Sequence, residues 1–179
     1  MSDRPSLQSL AEKYGCDKLY NHSYIPWYEK LFKDMVVMNL LEIVIGFEEL
    51  MRPFVPKYVH GASLKMWRDY FHGAWIHGCD RRHDTMFDDE GISTAVIDQS
   101  WPQDLWKLCH IPWDVIIDDG SHVTADRLLS AAVLVPHLRP GGLYVIEDVE
   151  EPYPLIAQLG GEVLNGNKRS DDCLVVIRR

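Results

Sequence analysis

With 179 residues, 46% hydrophobic and 25% charged, the chain suits a single globular domain with one sizeable core. A formal net charge of -9 argues against nucleic acid or an anionic membrane as the main partner, because both demand clustered Lys and Arg. The cysteines Cys16, Cys79, Cys109 and Cys173 stand far apart with no C-x-x-C, which argues against a disulfide framework or a zinc ribbon and points to reduced thiols in a cytoplasm.

The stretch MSDRPSLQSLAEKYG is polar and lacks a signal-peptide pattern. Residues 6–14 put Leu7, Leu10 and Ala11 at helical spacing, and Gly15 ends the run. A second short helix is predicted over 24–32, with Trp27, Tyr28, Leu31 and Phe32 on one side. MNLLEIVIG (38–46) reads as a buried strand ending in glycine. Residues 47–60 make a long connection with two prolines, and Gly61 opens a helix carrying Leu64, Trp67, Arg68 and Phe71. AWIHGCD (74–80) and STAVID (93–98) are strands that each end on an acid, with a loop or helical turn between them.

A short helix over 102–109 precedes a fourth strand, WDVIIDD (113–119). Residues 123–138 form a clear helix with Leu128, Ala131, Ala132 and Val135 on one face. PGG (140–142) is a turn, LYVIED (143–148) a fifth strand and 152–159 a short helix. Residues 161–179 hold two strand-like runs around a polar turn, a terminal hairpin. The longest nearly apolar run, 128–135, is too short to span a bilayer.

Strands alternating with helices give a mainly parallel sheet covered on both faces, a Rossmann-like α/β architecture. Ligands bind such sheets outside the carboxyl ends of the strands. Gly46, Asp80, Asp98, Asp118, Asp119, Glu147 and Asp148 all stand at predicted strand ends, so they should gather along one edge. A glycine after the first strand and an acid ending the second suit a nucleoside, with Asp80 accepting from ribose hydroxyls; a solvated strand-end acid is the alternative. No G-x-G-x-x-G cradles a pyrophosphate, which favours S-adenosylmethionine over a dinucleotide.

The fourth and fifth strands should be neighbours, which brings Asp119, Glu147 and Asp148 together. Carboxylates packed in a low-dielectric cleft repel one another, and a hard divalent cation such as Mg2+ removes that conflict. Acids capping the next helix or facing water are the alternative. His122 follows at the mouth of the fourth-strand helix, whose positive end favours the neutral ring a general base needs.

YGCDK with the His22, Tyr24 and Tyr28 that follow it (14–28), LLEIVIG, GASLKMWRDYF, IHGCD, IDQS, DVIIDDGSH and HLRPGGLYVIEDVE together resemble the macrocin-type, metal-dependent sugar O-methyltransferases, which use S-adenosylmethionine and share the class I methyltransferase fold. Cephalosporin-hydroxylase-like proteins are more distant relatives. The resemblance covers residues 9 to about 153 and is strongest in DDGSH and YVIED. It implies a seven-stranded sheet with a C-terminal antiparallel hairpin, residues 1–34 as a helical cap and 35–179 as the core.

Matched by motif, Asp119, Glu147 and Asp148 would hold magnesium, and His122 would be the base. Asp80 would bind ribose, Asp98 and Gln99 would border adenine, and Gly46 with Ser63 would flank the methionine. Asp118 is also placed at the cofactor. Tyr14, Asp17, His22 and Tyr24 fall in a segment that closes over it, with Asp17 and Lys18 as alternative helix-junction residues. The chain departs from the pattern at Val44, where a glycine is common, and at residues 47–60, where Phe47 and Glu48 are expected to crowd the carboxylate end of the cofactor, with Glu48 as an alternative partner for its ammonium group. The expected reaction is O-methylation of a small-molecule hydroxyl on a sugar or glycosylated natural product, with specificity from loops, the N-terminus or a second subunit in a homo-oligomer. A non-catalytic cofactor-binding module and a hydroxylase-like enzyme are the alternatives.

Overall fold

The computed structural model describes residues 4–55 and 57–179. Seven strands, β1 (Asn39–Ile43), β2 (Trp75–Asp80), β3 (Ile92–Val96), β4 (Trp113–Asp118), β5 (Leu138–Ile146), β6 (Glu162–Asn165) and β7 (Cys173–Arg178), form one sheet in the order β3-β2-β1-β4-β5-β7-β6. The first five run parallel, while β7 is antiparallel to both β5 and β6. The chain moves outward from β1 to β3, then returns to place β4 on the other side of β1. That reversal leaves a crevice between the carboxyl ends of β1 and β4, the place where sheets of this kind hold ligands. Ile43 lies opposite Asp118, so both strands deliver their following residues at one level.

The central strands β1 and β4 are largely apolar and buried because helices cover both faces. Alternation along β4 shows it: Val115 and Ile117 join a core with Leu10, Phe32 and Trp67, while Ile116 joins another with Leu105, Ala131 and Leu155. The first face carries α1 (Leu7–Tyr14), α2 (Asp17–Tyr20), α3 (Ile25–Phe32), and, after α4 (Glu48–Met51), α5 (Ala62–Tyr70). The second carries α6 (Pro102–Trp106), α7 (Thr124–Leu134) and α8 (Tyr153–Leu159). At the ends of α1, Ser6 Oγ accepts from the Ser9 N–H at 3.1 Å, and Gly15 stops the helix at φ 65. A Cβ there would stand 2.3 Å from the Lys57 carbonyl oxygen, so the stop requires glycine.

The structure departs from the sequence reading in a few places. Residues 140–142 lie within β5, where Gly141 and Gly142 pair with Arg179. The register slips between Trp113 and Val115 to make room for them. The helix expected over 123–138 ends at Leu134, and Pro136 sits in the 3-10 turn that follows. Helices α2 and α4 are too short to leave a periodic signal. All four cysteines are free, and no helix among the described residues is long and apolar enough to cross a membrane.

Helices α1 and α5 are joined by a polar knot around Asp69. Lys13 Nζ, Tyr14 Oη and Arg68 Nε donate to its carboxylate at 2.8, 2.6 and 3.0 Å. Burial alone would raise the Asp69 carboxyl, but these donors outweigh it and hold the group at about 2. A depressed folded-state value adds stability above the unfolded value, which is lost as pH falls through the folded one. Urea titrations of the native chain and Asp69→Asn should therefore differ by about 1–2 kcal/mol at neutral pH, after a discount for partial exposure. The gap should close as pH falls from about 4 to 2.

Candidate active site

Two cavities open at the crevice. One, of about 280 Å3, is bordered by Asp17, His22, Ser63, Asp119, Asp148 and Arg169 among others. The second, of about 360 Å3, is bordered by Asp80, Ile97, Asp98, Gln99 and Ser100. Val44, Gly46, Leu50, Gly120 and His122 line both. The two are thus lobes of one crevice, sharing a wall built by the loops after β1 and β4.

The loop after β1 turns sharply. Gly46 has φ 74, as the wall requires, but Val44 has φ 80. A β-branched residue in the left-handed region costs on the order of 1–3 kcal/mol. The sheet imposes it: the Val44 N–H donates to Cys79 O at 2.6 Å, and Ile43 O accepts from the Asp119 N–H at 3.2 Å. Farther along, Glu48 pairs with Arg52 in solvent rather than facing the crevice, which corrects its expected part in binding an ammonium group. Phe47 borders the second lobe and not the first, away from Asp119 and Asp148, and lies under the Arg82 guanidinium, 4.2 Å from ring centroid to Cζ.

At the floor of the first lobe the carboxylates converge. Asp119, Glu147 and Asp148 each offer an oxygen within 4.8 Å of the others. The fully buried Lys18 reaches into this group from α2. Its Nζ lies 2.8 Å from Asp119 Oδ2, 2.7 Å from Glu147 Oε2 and 3.1 Å from Glu42 Oε1. The last approach is too oblique for a hydrogen bond, so Glu42 Oε1 is charge-paired only; Glu42 Oε2 accepts from Trp67 Nε1 at 3.0 Å. Tyr28 donates to Glu147, and Tyr24 donates to Asp148 at 2.8 Å. From α7, Arg127 Nη2 donates to the carbonyls of Glu147 and Asp148, at 3.0 and 2.9 Å, fixing the turn that holds Asp148 at φ 54.

Glu42, Asp119 and Glu147 thus surround a single ammonium, and Asp148 lies beside the last two. Burial would lower Lys18, but the surrounding carboxylates outweigh it and hold the ammonium well above the usual lysine range. Burial pushes Glu147 up, to about 7, against the pull of Lys18, and it pushes Asp119 up as well. One lysine is too little positive charge for this set. Among the described residues no hydrogen bond reaches Asp119 Oδ1 or Asp148 Oδ2, and the buried His22 Nδ1 has no partner although it lies 3.4 Å from Asp148 Oδ1. Oxygen donors with spare lone pairs and uncompensated negative charge suit a hard divalent cation.

The segment bearing Lys18 and His22 is clamped from outside by the turn between β6 and β7. Lys168 Nζ donates to the carbonyls of Leu19 and His22, the latter at 2.7 Å, and Arg169 Nη1 donates to Asn21 Oδ1 at 3.2 Å. Asp172 accepts from the N–H groups of Ser23, Asn167 and Lys168 at 2.9, 2.8 and 2.8 Å.

In the second lobe, Asp80 accepts from the backbone N–H groups of Ile45 and Arg82 at 3.2 and 3.0 Å. A carboxylate has lone pairs beyond those two, so ribose hydroxyls can still be met. Asp98 holds Ser100 through its N–H and hydroxyl, at 2.9 and 2.7 Å. Gln99 spans the wall, donating to Asp118 Oδ1 and accepting from the Ser121 N–H, each at 2.7 Å. A Cβ on Gly120 would stand 2.1 Å from its Oε1. Gly46, Ser63, His22, Asp80, Asp98 and Gln99 thus border the crevice as the sequence suggests.

Three residues expected at the cofactor are placed elsewhere. The Tyr14 hydroxyl is spent on Asp69 between α1 and α5. Tyr24 lies beneath Asp148, as its support. Asp118 points into the sheet, accepting from Gln99 and from Tyr144 Oη at 2.7 Å.

No family model matches the chain. It is 36% identical over 156 residues to the 8-demethyl-8-alpha-L-rhamnosyl tetracenomycin-C 2'-O-methyltransferase of Streptomyces olivaceus, which is 84% of this chain and 39% of that protein. It is also 36% identical over 161 residues to demethylmacrocin O-methyltransferase of Streptomyces fradiae, 85% of this chain and 38% of that protein. The chain is homologous to the macrocin-type sugar O-methyltransferases. It spans about two-fifths of the length of these methyltransferases. MycE methyltransferase from the mycinamycin biosynthetic pathway, solved with Mg, SAH and mycinamycin VI, superposes with a TM-score of 0.71 at 37% identity, over 82% of this chain and 38% of that one. The methyltransferase fold is therefore shared.

Sequence reasoning missed Glu42, Tyr28 and Arg127, and left the role of Lys18 open. Glu42 carried a signal, an acid inside the apolar run LLEIVIG. A charge retained in a buried strand needs a partner. Arg127 carried none, since it falls on an ordinary helical face, and Tyr28 closes the 14–28 motif without that motif giving it a role.

Proposed function

We propose that the chain transfers a methyl group from S-adenosylmethionine to a hydroxyl of a sugar or glycosylated small molecule, assisted by Mg2+. The observation that carries this reading is the convergence of Asp119, Glu147 and Asp148 within 4.8 Å beside a crevice at the β1/β4 switch point. The names of the relatives and the ligands of MycE support it. Asp119, Glu147 and Asp148 would hold the ion, which when bound orients an acceptor hydroxyl and favours its ionisation.

The chain's own groups do the rest. Asp80 and Asp98 receive the adenosine half in the second lobe, and Ser63 with the Gly46 backbone receives the amino-acid half in the first. His122 borders both lobes and takes the acceptor's proton on its ring nitrogen. Lys18, Tyr24, Tyr28 and Arg127 hold the carboxylates in place, so little reorganisation remains at the moment of reaction.

Calorimetry with S-adenosylhomocysteine and with MgCl2 tests the reading. Both should bind the native chain, and Asp119→Asn should weaken Mg2+ binding by about 10–100-fold while leaving S-adenosylhomocysteine within a few-fold. Unchanged Mg2+ affinity in the variant would remove the acids from the reading, and absence of binding by both S-adenosylhomocysteine and adenosine would end it.

A further inference from the structure

The geometry points to Val44 as a partition that restricts ligands long enough to span both lobes while leaving shorter ligands free to enter one lobe alone. The proposal rests on the adenosine and amino-acid halves occupying separate lobes, as in the function proposed above. A ligand joining the two must cross the shared wall of Val44, Gly46, Leu50, Gly120 and His122. Gly46 and Gly120 present only backbone there. Leu50 sits on the short helix α4 and is half-exposed, and the His122 ring is exposed, so both can swing aside. Val44 cannot. Its backbone is tied to β2 through Cys79, and the residue before it is tied to the start of the β4 loop through Asp119. A branched χ1 leaves the side chain few alternative rotamers. Its φ of 80 is a backbone conformation that only glycine adopts without strain, and it fixes the direction of the Cα–Cβ bond. The second core packs against one side of Val44, leaving the rest to project into the crevice.

The test uses two probes on the native chain, Val44→Gly and Val44→Ala, by calorimetry with Mg2+ present. Adenosine fits one lobe, whereas S-adenosylhomocysteine spans both. Relief of an overpacked contact should raise S-adenosylhomocysteine affinity about tenfold in Val44→Gly. A smaller gain is expected in Val44→Ala, with adenosine affinity held within about twofold in each. Val44→Ala keeps a Cβ and the strained backbone, so a gain there separates side-chain bulk from backbone freedom. An unchanged ratio of the two affinities overturns the partition, and a fall in S-adenosylhomocysteine affinity makes Val44 a supporting contact instead. If the native chain binds adenosine but not S-adenosylhomocysteine, and both variants bind both, the partition is upheld as a complete block. If no form binds either probe, the proposed function fails and the partition goes with it.

Discussion

Replacing His122 with alanine is expected to lower methyl transfer by about 10²–10⁴-fold, the range a positioned general base supplies. The ring is exposed at the junction of the two lobes and also borders a third hollow with Arg127, Asp148 and Asp171. Among the described residues no hydrogen bond ties it to the fold, so truncation should leave stability within about 0.5 kcal/mol. S-adenosylhomocysteine affinity should stay within a few-fold. Single-turnover kinetics with a glycosylated acceptor, beside calorimetry of the same variant, separates the effects. A matching collapse of cofactor affinity would make His122 a binding contact rather than a proton acceptor.

Replacing Lys18 with methionine should cost about 3–5 kcal/mol, because it strands buried carboxylates without their counter-charge. That is a large share of the total stability of about 5–15 kcal/mol typical of a domain. Methionine keeps most of the volume, so little of the loss comes from packing. Glu42, Asp119 and Glu147 would face one another with only hydrogen bonds from Trp67 and Tyr28 to offset the repulsion. Millimolar Mg2+ should recover more stability in the variant than in the native chain, since a divalent ion can replace the missing positive charge. Urea unfolding with and without MgCl2 reads both quantities. A loss below about 1 kcal/mol would show that the cluster is held by its hydrogen bonds rather than by charge.

The fold was largely legible because strand alternation, Gly15 and the acidic strand ends are local signals. DVIID and LYVIE read as neighbouring strands, and their acids do meet. What could not be read depends on which chemically ordinary side chain points where. Asp118 and Asp119 are adjacent in sequence, yet the twofold alternation of a strand sends one toward Tyr144 and the other toward Lys18. Tyr14 and Tyr24 looked alike as members of an aromatic segment. Their targets, Asp69 and Asp148, are set by how α1 and α3 seat on the sheet, which no local pattern encodes. Glu48 went astray similarly: Arg52, one helical turn away, captured it.

The clamp on the Lys18 segment has a consequence for biosynthesis. Lys168, Arg169 and Asp172 lie about 150 positions after the carbonyls and amides they hold. A ribosome delivers the early segment long before its fastener exists, and contacts of such wide separation form slowly. The acidic floor therefore stays without its fastened cover until the turn between β6 and β7 has been made, so cover and clamp are secured together rather than in chain order.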